Sequence, residues 1–162
     1  MLLITCFIFG LLGSLAWAGP HARSVCPSGT FANRDRSQWY CYKFYEDMAT
    51  FQEAEEECQY KWRGHLVSFT RDKQAETVGA YINKENTENN HVWIGLQREN
   101  LASAWRWTDG SRSKYRKFNS APSLVESYNE HCAAFSPVYG RLSWSEQDCS
   151  SKFPFLCKWK PS

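Results

Sequence analysis

The sequence predicts an α+β domain in which two helices precede an antiparallel sheet, one long irregular loop interrupts that sheet, and disulfides cross-link the whole. Three observations predict it. Two early segments carry apolar residues at helical spacing. Short strand-like runs dominate from Val92 onward. Of the seven cysteines, only Cys6 falls in an apolar N-terminal stretch, which leaves six for the domain. Helices and strands that segregate along a chain in this way indicate α+β rather than alternating α/β architecture.

The elements follow in order. Residues 1–18 are almost wholly apolar and end Ala16-Trp17-Ala18, a small-x-small pattern that fits a cleaved secretory signal. Residues 19–25 read as a loose leader, and 26–162 as one domain with no internal repeat or linker. An even cysteine count in a secreted chain implies three disulfides, with about fifteen connectivities open in principle. Cys26-Pro27-Ser28-Gly29 has turn chemistry and Gln38 to Tyr45 is aromatic-rich, so a hairpin with Cys26 bonded to Cys41 across it is expected. A loop of that size stabilises by about 3 kcal/mol in the chain-entropy model.

Thr50-Phe51-Gln52-Glu53 is a capping box at the start of the first helix. Phe51, Ala54 and Cys58 form its apolar stripe, Glu53, Glu55, Glu56 and Glu57 read as its solvated face, and Gly64 as its C-terminal cap. His65 to Phe69 is a short strand. A second helix starts at Thr70, with Ala75, Val78 and Ile82 inward. The strands Val92–Leu96, Ala104–Trp107, Cys132–Phe135, Leu142–Trp144 and Phe155–Lys158 complete the sheet, and their tryptophans read as core. Residues 109–130 show no periodicity.

The formal charge of +2 is unevenly spread. Between Lys43 and Trp62 two lysines stand against six acids. Between Arg98 and Lys117 six bases stand against Glu99 and Asp109. Arg112, Lys114, Tyr115, Arg116 and Lys117 pack four positive charges and a ring into the start of the irregular loop. Guanidinium and ammonium groups match sulfates, phosphates and carboxylates, so this cluster is the candidate ligand-binding site. Scattered histidines give no zinc spacing, and neither a nucleophile elbow nor a phosphate loop is present, so no catalytic residue is expected and the protein reads as a non-enzyme.

Taken together, Cys26-Pro27-x-Gly29, Gly64-His65-Leu66, Trp93-Ile94-Gly95-Leu96, Trp107-x-Asp109-Gly110, Glu130-x-Cys132, Trp144 before Asp148-Cys149, and Phe155-Leu156-Cys157 resemble the C-type lectin-like domain over nearly all of the mature chain. The pattern looks most like the regenerating-islet (Reg) and eggshell-matrix lectin-like group. The resemblance implies the pairs Cys26–Cys41, Cys58–Cys157 and Cys132–Cys149. It also implies where calcium would bind in sugar-binding members: a Glu-Pro-Asn or Gln-Pro-Asp tripeptide in the long loop, a Glu before a cysteine, and a Trp-Asn-Asp tripeptide. Here Ala121-Pro122-Ser123 and Trp144-Ser145-Glu146 stand at those places, leaving Glu130 and Glu146 as weak metal candidates. Calcium prefers six to eight oxygen ligands, so no tightly bound cofactor is expected.

The expected function is therefore secreted, extracellular recognition of glycans or anionic polysaccharide, largely without calcium. The alternatives are an eggshell or biomineral matrix protein that adsorbs calcium carbonate and a venom-type lectin-like subunit. No nucleic-acid partner and no membrane span after signal cleavage are expected. With no cysteine between Cys58 and Cys132, no disulfide-linked partner is expected either.

Overall fold

The structure, a computed structural model, describes residues 25–119, 130–137 and 143–162. The expected signal segment and most of the leader lie outside these residues, as does Ala121-Pro122-Ser123. The elements run β1 (Phe31–Asp35), β2 (Gln38–Ala49), α1 (Phe51–Trp62), β3 (His65–Leu66), α2 (Asp72–Glu85), β4 (Val92–Arg98), β5 (Arg106–Trp107), β6 (His131–Phe135), β7 (Trp144–Asp148) and β8 (Phe153–Trp159). Among the described residues, no helix is long and apolar enough to cross a membrane.

The strands form a sheet of order β1-β2-β8-β4-β6-β7, with β3 added to β8 and β5 to β4. Every pairing is antiparallel except β4 with β8, which run parallel through Trp93 and Phe155, so the sheet is mixed. Parallel neighbours cannot be joined by a tight turn. Here the connection between them contains β5, the irregular segment, β6 and β7.

Side-chain alternation explains why Val92–Leu96 is apolar throughout. Val92, Ile94 and Leu96 join Tyr42, Phe44 and Leu156 in a core with Val78 and Ile82 of α2. Trp93 joins Cys41, Phe155, Cys157 and Trp159 in a second core with Phe51, Ala54 and Cys58 of α1. The two helices thus cover opposite faces, and a strand buried on both faces reads as a continuous apolar run. All three expected disulfides are formed, Cys26–Cys41, Cys58–Cys157 and Cys132–Cys149.

The capping box of α1 is complete: Thr50 Oγ1 accepts from Glu53 N at 3.2 Å, and Thr50 N donates to Glu53 Oε1 at 3.0 Å. Two expectations for this helix are corrected. The left-handed residue at its end is Arg63 (φ 52°), not Gly64. Gly64 is needed instead because the chain passes so close to β8 that a Cβ would collide with Lys158 O and lie 2.8 Å from Trp159 Cβ. Gly64→Ala is expected to destabilise by about 1–3 kcal/mol through overpacking against backbone that cannot retreat, read as a lower midpoint in urea.

The second correction concerns Glu55, which is buried rather than part of the solvated face. Its Oε1 accepts from Leu66 N at 2.9 Å, and its Oε2 lies 2.7 Å from His65 Nδ1 and 2.5 Å from Gln59 Nε2. A buried carboxylate survives when its oxygens are occupied in this way. The contact fastens the start of β3 to the middle of α1.

Candidate functional site

The irregular segment leaves β5 through Trp107-Thr108-Asp109-Gly110, where Gly110 takes φ +79°. It then runs without regular structure to Phe118, which bridges in parallel to Trp144. Its course is fixed by inward anchors. Ser113 Oγ donates to Phe69 O at 3.0 Å, and Trp107 Nε1 donates to Ser113 O at 3.1 Å. The Tyr115 ring packs edge-on against buried Trp144 with centroids 5.7 Å apart. Its hydroxyl donates to Asp72 Oδ1 at 2.7 Å.

The five candidate residues therefore divide. Arg116 is half-buried, donates to Ser113 O at 3.1 Å and Tyr115 O at 2.8 Å, and lies over the Trp107 ring at 5.8 Å. Burial pushes its pKa down. Burial and then the Asp72 carboxylate push the Tyr115 hydroxyl pKa up. Both residues are parts of the scaffold. Arg112, Lys114 and Lys117 are exposed. Lys117 shares Asp72 Oδ1 with Tyr115 at 3.2 Å, a solvent-facing pair. Arg112 and Lys114 have no carboxylate at ion-pairing distance among the described residues. A period-two reading would place Tyr115 opposite both neighbours; the segment is not a strand, and Tyr115 and Arg116 both turn inward.

A second basic group adjoins the first, and the sequence reading did not single it out. Exposed Arg34 and Arg36 flank the β1–β2 turn, and with Arg71 and Lys73 they line a cleft of about 330 Å³. Asp35 in this group is already held by Arg71, whose Nε donates to its Oδ1 at 2.6 Å. Asp72, between Arg71 and Lys73, accepts from Tyr115 and Lys117, so the two groups meet at the start of α2. The Tyr115 hydroxyl, then Lys117, hold the Asp72 carboxyl below its ordinary pKa. The available signal was two arginines around a tight turn, which one-dimensional reading treats as solvated.

The two metal candidates also part company. Glu130 is exposed. The Glu146 side chain is buried: its Oε1 accepts from Arg98 Nη2 at 2.7 Å and lies 2.6 Å from His131 Nδ1. Arg98 also stacks over the Trp105 ring at 4.7 Å. Among the described residues, no group of three or more His, Cys, Asp or Glu is arranged to hold a metal.

Comparison with known proteins matches the Lectin C-type domain model over residues 47–159. Lithostathine-1-beta of Homo sapiens is 34% identical over 142 residues, covering 87% of this chain and 82% of that protein. Regenerating islet-derived protein 4 of Mus musculus is 35% identical over 157 residues, covering 93% and 95% respectively. The crystal structure of human lithostathine at 1.3 Å superposes with a TM-score of 0.76 at 36% identity, covering 87% of this chain and 94% of that one. With its cysteine framework and two-faced sheet, the chain belongs to the C-type lectin domain family, among the regenerating-islet and lithostathine proteins.

Proposed function

We propose that the protein is a secreted recognition module that binds acidic polysaccharide without calcium through Arg112, Lys114 and Lys117. The observation that carries this reading is the division of the basic segment, whose Tyr115 and Arg116 turn inward as anchors while three cations face solvent. Arg34, Arg36, Arg71 and Lys73 extend the positive surface toward the β1–β2 turn, giving a long anionic chain more than one place to engage. Calcium independence is supported by Glu146, one of whose carboxylate oxygens, Oε1, is taken up by Arg98 and lies beside His131. The mineral-surface alternative draws on the acidic run of α1, and there Glu55 is buried, Glu53 caps the helix and Glu57 pairs with Lys61 at 3.1 Å.

Heparin chromatography with and without EDTA tests the proposal. Wild-type protein is expected to be retained equally in both buffers and to elute as salt screens the charges. Replacing Arg112, Lys114 and Lys117 together by Gln is expected to weaken binding about tenfold or more, roughly 1.4 kcal/mol, with the fold unchanged because none of the three is buried. Wild-type retention that vanishes in EDTA, or that is absent in both buffers, would overturn the reading.

A further inference from the structure

Strand alternation in β8 puts Lys158 on the same face as Leu156, where an apolar residue belongs, and the side chain is only 8% exposed. Its register places it between Tyr42 of β2 and His65 of β3. Nζ donates to Ser68 O at 3.0 Å and to Ser68 Oγ at 3.2 Å, and it lies over the Tyr40 ring at 4.3 Å. No carboxylate is within ion-pairing distance of it among the described residues. Asp109 reaches it only through the Ser68 hydroxyl, which donates to Asp109 Oδ2. Burying a cation without a direct counter-charge is costly. Yet this one borders an open cleft of about 470 Å³, whose lining includes Tyr40, Arg63, His65, Asp109, Trp159 and Lys160. Formal charge around that cleft favours an anion, with Arg63, Lys158 and Lys160 against Asp109. Asp109 itself keeps an acceptor at the rim, since its Oδ1 is held by Ser111 N at 2.8 Å and faces solvent on its other side.

We propose that this cleft is a second glycan subsite, one that takes an acidic sugar residue whose carboxylate pairs with Lys158 Nζ while a ring hydroxyl donates to Asp109. It rests on the glycan-binding reading above but uses none of the loop cations. The pairing supplies the counter-charge that the fold withholds, and the hydroxyl contact separates a sugar acid from a simple carboxylate. Burial lowers the Lys158 pKa from the ordinary 10.5 to about 8, with Asp109 and Asp35 opposing the shift and Lys160 adding to it. Tyr40, His65 and Arg63 complete the charged and titratable groups facing it. A base with a depressed pKa loses its charge as pH rises through that value. Anion affinity is therefore full below pH 8 and lost above it, with a proton taken up on binding near pH 8.

Titration of the full-length mature protein with sodium glucuronate, glucose and sodium acetate, followed by NMR, tests this. Glucuronate is expected to bind and to raise the Lys158 pKa, with glucose and acetate each about tenfold weaker or worse. Glucuronate affinity should fall about tenfold between pH 7 and pH 9, as the protonated fraction of a group titrating near 8 requires. Lys158→Met should abolish binding while keeping the fold, since Met fills the same apolar path. Should that variant fail to fold, the wild-type pH profile decides alone. No glucuronate binding, equal binding of acetate or glucose, or a flat pH profile would overturn the proposal. Glucuronate binding intact in the loop variant that has lost heparin retention supports the cleft as a separate site. Heparin retention without glucuronate binding sinks the cleft and leaves the loop standing.

Discussion

Replacing Cys58 and Cys157 together by Ala is expected to cost about 4–5 kcal/mol, from the chain-entropy scaling for a closed loop near 100 residues. The bond spans 99 residues, whereas Cys26–Cys41 and Cys132–Cys149 span 15 and 17. Removing either short link is expected to cost about 3 kcal/mol on the same scale. A domain of this kind has about 5–15 kcal/mol in all, so loss of the long link takes a large fraction of it. Both sulfurs are fully buried, in the core beneath α1. Part of the cost is therefore lost packing, which adds to the entropic term. Urea unfolding of the three double variants under oxidising conditions gives the test. A Cys58/Cys157 variant no less stable than the two short-loop variants would refute the ranking.

Glu146→Ala is expected to cost about 3–5 kcal/mol, the range for breaking a buried charge pair by removing one partner. The Glu146 side chain is 2% exposed, with Arg98 at 10% and His131 at 1%. Truncation removes the carboxylate that both side chains share, in a place water reaches poorly. Glu146→Gln, which keeps the shape and loses the charge, should cost less. Replacing Glu146, Arg98 and His131 together by apolar residues of similar volume should recover much of the loss, as observed generally when a buried ionic group is removed whole. Chemical denaturation of the three variants checks the order. If Glu146→Ala unfolds within about 1 kcal/mol of wild type, a value ordinary for a surface pair, the contact is not the structural joint described.

What could be read from the chain was whatever repeats a local rule. The capping box at Thr50, the apolar stripe of α1 and the run Val92–Leu96 each obey a period that needs no tertiary knowledge. The Cys26–Cys41 link was legible from its hairpin, and the pairs Cys58–Cys157 and Cys132–Cys149 came through the family pattern. What escaped was charge in the interior. Glu55, Glu146 and Lys158 belong to residue types whose default is solvent, and each is inside because a partner distant in sequence awaits it: Leu66 N, Arg98 and Ser68. Lys158 was the nearest to legible. Alternation through Phe155-Leu156-Cys157 already pointed it inward, and only the habit of reading lysine as exposed concealed it. The basic segment shows the converse. Its residues were named correctly as a basic cluster, but Tyr115 and Arg116 point inward because Trp144, Trp107 and Asp72 hold them. No regularity within residues 112–117 announces that.

The anchoring of that segment has a consequence for how recognition and folding relate. Its fixed points are Ser113, Tyr115 and Arg116, and its outward residues touch little else. Ordering a flexible loop on binding consumes free energy that a loop already in place does not lose. The backbone that carries the three cations is thus fixed by contacts within the protein itself. Because the residues that set the segment's path are not those that meet solvent, the outward positions are free to vary in charge while the framework stays constant. On the binding reading proposed above, ligand preference and foldability are separately adjustable on the same short stretch of chain.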